Sequence, residues 1–85
     1  MLLFSENIEK FVGATVTVNI IHKIYGNQHA TVRCFQPLIT KDKLGFIANN
    51  HEIFVYTNEI ETIDYGKNTV SINGKLQTII VEKIS

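Results

Sequence analysis

One Cys, one Pro, one Met, one Arg and no Trp stand in this 85-residue chain, and each scarcity closes a possibility. A lone Cys34 forms no internal disulfide, so the chain is not one of the small domains stapled by bridges. Eight Lys plus Arg balance eight Asp plus Glu, and a formal charge of zero supplies no basic field for non-specific nucleic-acid binding. Arg33 is the sole guanidinium, the group best suited to bidentate phosphate and guanine contacts. No run approaches the ~20 apolar residues that cross a bilayer, and Met1 to Phe4 is too short for a signal segment. These features predict a cytoplasmic protein without a membrane partner.

What the chain has in excess is Ile, Val and Thr, 28 of the 85 residues. β-Branched side chains are stiff at χ1 and pack well on a pleated surface, which favours strands. At this length one core is expected, near the size at which oligomerisation often adds the missing burial. There is no internal repeat, low-complexity stretch or linker.

The pattern predicts a short helix followed by about seven strands. Ser5 is placed to cap a helix to about Phe11, with Phe4, Ile8 and Phe11 covering one end of a sheet or barrel. From Ala14 to Tyr25, Val16, Val18 and Ile20 alternate with Thr15, Thr17 and Asn19, and Ile21 and Ile24 suggest a bulge or a strongly bent strand near His22. Gly26-Asn27 reads as a turn, His29 to about Gln36 as a second strand ended by Pro37, and Leu44 to Ala48 as a third. Asn49, Asn50 and His51 mark a tight turn before a strand from Ile53 to Tyr56. Thr57 to Ile60 reads as one helical turn capped by Thr57 or Asn58, and Glu61 to Tyr65 as extended. Asn73-Gly74 is the strongest hairpin signal, leading into a last strand from Leu76 to Ile84.

Two segments carry a resemblance. Phe11-Val12-Gly13-Ala14-Thr15-Val16-Thr17-Val18 looks like the passage from helix into first strand in the Sm-like branch of the small SH3-like β-barrels. The stretch from Glu52 to Ile63 is similar to the apolar strand, polar turn and Ile-x-x-Ile closing of many bacterial members. The resemblance implies an all-β barrel of bent antiparallel strands over residues 5–65, with residues 66–85 as an appended hairpin. Members that bind RNA carry Asp and Asn in one loop and a basic or Arg-Gly element in another. Asp42 is present here, no Asn follows it in place, and the Arg-Gly is missing.

Chemistry-bearing residues are sparse. His22, His29 and Cys34, with His51 further on, lack the closely spaced pairs of a zinc site. Cys34 alternates with Ala30 and Val32, which reads as core packing rather than a nucleophile. Glu52, Glu59, Glu61, Asp64 and Glu82 offer carboxylates without a recognisable acid and base pair. Tyr25, Arg33, Phe35, Lys41 and Lys43 form the best candidate for base stacking and phosphate contact. In the last strand, Leu76 to Val81 is apolar on both faces, which implies burial on both sides or a partner.

The expectation is a non-enzymatic interaction module without cofactor or metal, self-associating or binding another protein through edge strands or the C-terminal hairpin. Ile79, Ile80 and Val81 would carry that contact. The alternative is an Sm-like RNA-binding ring subunit using Arg33, Lys41, Asp42 and Lys43.

Overall fold

Alternation in the sequence becomes eight antiparallel strands in two sheets. The computed structural model describes Glu6 and residues 8–33, 36–49 and 51–84. The strands are β1 (Thr15–His22), β2 (Gly26–Arg33), β3 (Gln36–Ile39), β4 (Lys43–Ala48), β5 (His51–Tyr56), β6 (Ile60–Tyr65), β7 (Thr69–Gly74) and β8 (Gln77–Lys83). A five-stranded sheet has the order β2-β1-β8-β7-β6, and a three-stranded sheet the order β3-β4-β5. The chain passes between them twice, from β2 to β3 and from β5 to β6. Their radius of gyration, 11.6 Å, is about that of one compact 85-residue body.

The sheets do not close into a barrel, which corrects the expected architecture. Among the described residues, the one defined element before β1 is a 3-10 turn rather than the expected helix. Glu9–Phe11 forms a single 3-10 turn, ended by extended backbone at Val12. Two turns of helix are marginal without tertiary support, and here the tertiary contact is made by the turn itself: Ile8 and Phe11 are fully buried. The expected cap at Ser5 and the contact of Phe4 lie outside the described residues, as do Cys34, Phe35 and Asn50.

The core is one cluster between the sheets. Val16 and Val18 of β1, Val70 and Ile72 of β7, and Ile79 and Val81 of β8 meet Leu44, Phe46 and Ala48 of β4 and Val55 of β5. Their opposite faces are polar, as one-sided burial requires: Thr17 lies opposite Glu82, and Asp64 opposite Ser71.

Several elements differ from the sequence reading for identifiable reasons. β1 and β2 stay in register from Thr15↔Arg33 to His22↔Gly26, without the expected bulge near His22. The irregularity falls instead between Ile60 and Thr62 of β6. Pro37 lies within β3, tolerated because β3 pairs only with β4. The last hairpin turns at Lys75 and Leu76, while Asn73 and Gly74 remain in β7. Gly74 belongs there because a Cβ would stand 2.9 Å from Val55 Cγ1. Within residues 66–84, β8 lies between β1 and β7 at the centre of the larger sheet.

Candidate functional site

The open seam between the sheets holds a cleft of about 590 Å³. Its walls are two strands that each pair on one side only among the described residues, β2 with β1 and β5 with β4. Val18, Ile20 and Ile79 form the floor, Ala30 and Val32 come from β2, and Ile53 and Phe54 from β5. Gln28, His29, His51, Glu52 and Tyr56 stand around it. Gln77 closes one end, donating from Nε2 to the carbonyl of Phe54 at 3.1 Å.

Three polar residues of the cleft, His29, Glu52 and Gln77, are engaged in local structure. His29 Nδ1 lies 2.6 Å from Asn19 Oδ1 on the far face of the sheet. Glu52 accepts from Lys43 Nζ at 3.1 Å, and the same ammonium stands 4.5 Å above the Phe54 ring. Among the described residues no group of three or more His, Cys, Asp or Glu is gathered to hold a metal ion. Burial raises the pKa of Tyr65, which packs against the core away from the cleft. The arrangement suits an apolar or extended occupant: it offers a greasy floor and a backbone edge.

That edge is distinctive. Every residue from Gly26 to Thr31 is exposed, and no charged residue occurs from Gly26 to Val32. Natural sheets blunt their free edges with Pro, short strands, bulges or charge, and the other edges here do so. β3 has four residues and contains Pro37. β6 carries the irregularity at Ile60/Thr62 together with Glu61 and Asp64. β5 carries Glu52, and its Phe54 carbonyl is taken by Gln77. β2 lacks all four devices over its first seven residues, Gly26 to Val32, its one charge being the terminal Arg33.

The residues expected to carry contacts are dispersed. Ile79 and Val81 are each only 1% exposed, and β8 is paired on both sides, so neither is free to meet a partner. Ile80 alone points to the outer face, between Asn19 and Ser71. Lys41, Asp42 and Lys43 share the β3–β4 turn, where Thr57 donates from Oγ1 to the Lys41 carbonyl and from its amide to that of Asp42. Arg33 stands at the end of β2 opposite Thr15, and Tyr25 just beyond the other end, about 26 Å away along an extended strand. The proposed stacking patch is therefore not assembled by this fold, while Phe35 lies outside the described residues. His22 is committed to a turn, its Nδ1 accepting from the amides of Ile24 and Tyr25.

Sequence reasoning placed Ala30 and Val32 on one face but missed the seam, because the seam is defined by which strands pair. A sequence signal for it existed in the absence of any charge or Pro from Gly26 to Val32.

No known protein-family model matches this chain, and no curated protein or solved structure is significantly similar to it.

Proposed function

We propose that this chain is a non-enzymatic interaction module that self-associates by strand pairing along β2. The observation that supports it is the unblunted edge of Gly26–Arg33, bordered by the apolar cleft. A row of unpaired amides and carbonyls recognises another backbone, and alternate side chains of the incoming strand enter the neighbouring cleft. β2 of a second copy fits this edge. Paired antiparallel about a two-fold axis, two such strands bring no like charges together in their centre, and the two Arg33 side chains fall at opposite ends.

A single strand edge covers less than the ~800 Å² per partner of a standard interface, so the dimer dissociates on dilution. Light scattering on a sizing column across a dilution series is the test. Thr31 is exposed on the outer face, and Thr31→Lys moves the dissociation midpoint to at least about tenfold higher concentration, since inserted Lys opposes edge pairing. A monomer at every concentration, or a variant that assembles as the parent does, removes the reading. A larger closed ring would point to the Sm-like alternative instead.

A further inference from the structure

The two most exposed large apolar side chains among the described residues, Ile24 and Tyr25, stand together at one end of the molecule, away from the cleft floor. Ile24 is 70% and Tyr25 79% exposed in the β1–β2 turn, and Leu76 is 42% exposed in the β7–β8 turn. The two turns touch, the amide of Lys23 donating to the Leu76 carbonyl at 2.9 Å. Each turn carries the same pattern, an exposed Lys followed at once by a large apolar residue: Lys23-Ile24-Tyr25 and Lys75-Leu76.

The first turn is also held in shape. His22 Nδ1 accepts from the amides of Ile24 and Tyr25 at 3.1 and 3.2 Å, and the imidazole packs on the Tyr25 ring with centroids 4.7 Å apart. Gly26 completes it at φ +84°, a left-handed conformation that suits glycine. A turn that only joined two strands would need no apolar tip, and exposing Ile24 to water is unfavourable.

We infer that this tip docks on an anionic lipid surface, with Ile24, Tyr25 and Leu76 entering the interfacial region and Lys23 and Lys75 reaching the headgroups. Aliphatic side chains, a Tyr with an apolar body and polar tip, and flanking lysines are the chemistry of that boundary. Hairpin ends projecting beyond their strands suit a yielding surface better than a preformed protein pocket. The attached charges favour an anionic one, since each Lys near the surface is drawn to anionic lipid. Glu59 adjoins the tip, its carbonyl accepting from the Lys75 amide; with Lys23 and Lys75 it leaves a net charge of one positive among these three residues. The contact is peripheral: no described helix is long and apolar enough to cross a membrane.

Co-sedimentation with vesicles tests this. The parent chain pellets with phosphatidylcholine vesicles containing about a third phosphatidylglycerol and stays in solution with phosphatidylcholine alone. Ile24→Ser with Leu76→Ser lowers the bound fraction at least about tenfold, because apolar burial supplies the anchorage. Lys23→Gln with Lys75→Gln, or salt of about 1 M, lowers it several-fold through lost or screened attraction. Both pairs lie in exposed turns, and circular dichroism checks that each variant keeps its strands. The inference is overturned by absence of the parent from both pellets, by equal partition onto neutral vesicles, or by tip variants that bind as the parent does. Capture of the parent by soluble polyglutamate without any vesicle binding would make the tip a protein contact and also overturn it.

Discussion

Gly45 shows how a single residue shapes the smaller sheet. It sits in β4 opposite Phe54 and Leu38, where a Cβ would run into the Ile53 carbonyl oxygen and come within 2.6 Å of Phe54 Cα. Both obstacles are backbone, so relief requires β5 to move away from β4 rather than a side chain to turn. At Gly74 the nearest obstacle is a Val55 methyl 2.9 Å away, which is easier to displace. Gly45→Ala is therefore expected to cost about 3 kcal/mol or more, and Gly74→Ala clearly less. Urea unfolding of the two variants decides the order; equal losses would mean that β5 is free to shift. Gly45 matters beyond stability because β5 walls the cleft, and the close approach of the two backbones fixes where Phe54 stands.

Strand β8 makes the same point at the level of an element, since its two faces live in different surroundings. Val81 pairs with Val18 and Val70 inside the core, whereas Ile80 lies between Asn19 and Ser71 on the polar side. Val81→Asp buries an unpaired carboxylate and should unfold the protein, while Ile80→Asp should cost no more than about 1.5 kcal/mol. Thermal melts separate the cases; similar losses would place Ile80 in packing rather than on a face. The alternation of Ile79, Val81 and Lys83 against Thr78, Ile80 and Glu82 was legible in the sequence, as was that of Val16, Val18 and Ile20 in β1. The partners of these strands were not. A continuous apolar run reads the same on a central strand and on an edge awaiting a partner, and only the pairing of β8 with both β1 and β7 distinguishes them. Turn position failed for a related reason: Asn73-Gly74 is locally a hairpin signal, but Asn73 pairs with Thr62 and Thr78 and Gly74 with Ile60, which keeps both in β7. The candidate site was least legible of all. It is an unfilled seam between strands joined to other neighbours, and its signature in the sequence is the missing protection on β2.

For the whole molecule, the central place of β8 makes folding depend on residues far apart in the chain. β1 pairs with β8 from Val16↔Lys83 to His22↔Gln77, so the larger sheet forms only once nearly the entire chain has come together, a topology that folds slowly. A chain ending at Tyr65 loses Val70, Ile72, Ile79 and Val81 from the core cluster. Burying each such side chain is worth roughly 1.5–3 kcal/mol, or about 6–12 kcal/mol together, comparable with the roughly 5–15 kcal/mol that holds a domain folded. The truncation also leaves β1 with a second open edge and the inner faces of both sheets partly uncovered. Residues 1–65 alone are therefore expected to show neither strand dichroism nor a cooperative melt. A soluble fragment that kept both would mean that the first 65 residues form a self-sufficient unit and that the C-terminal hairpin only reinforces it.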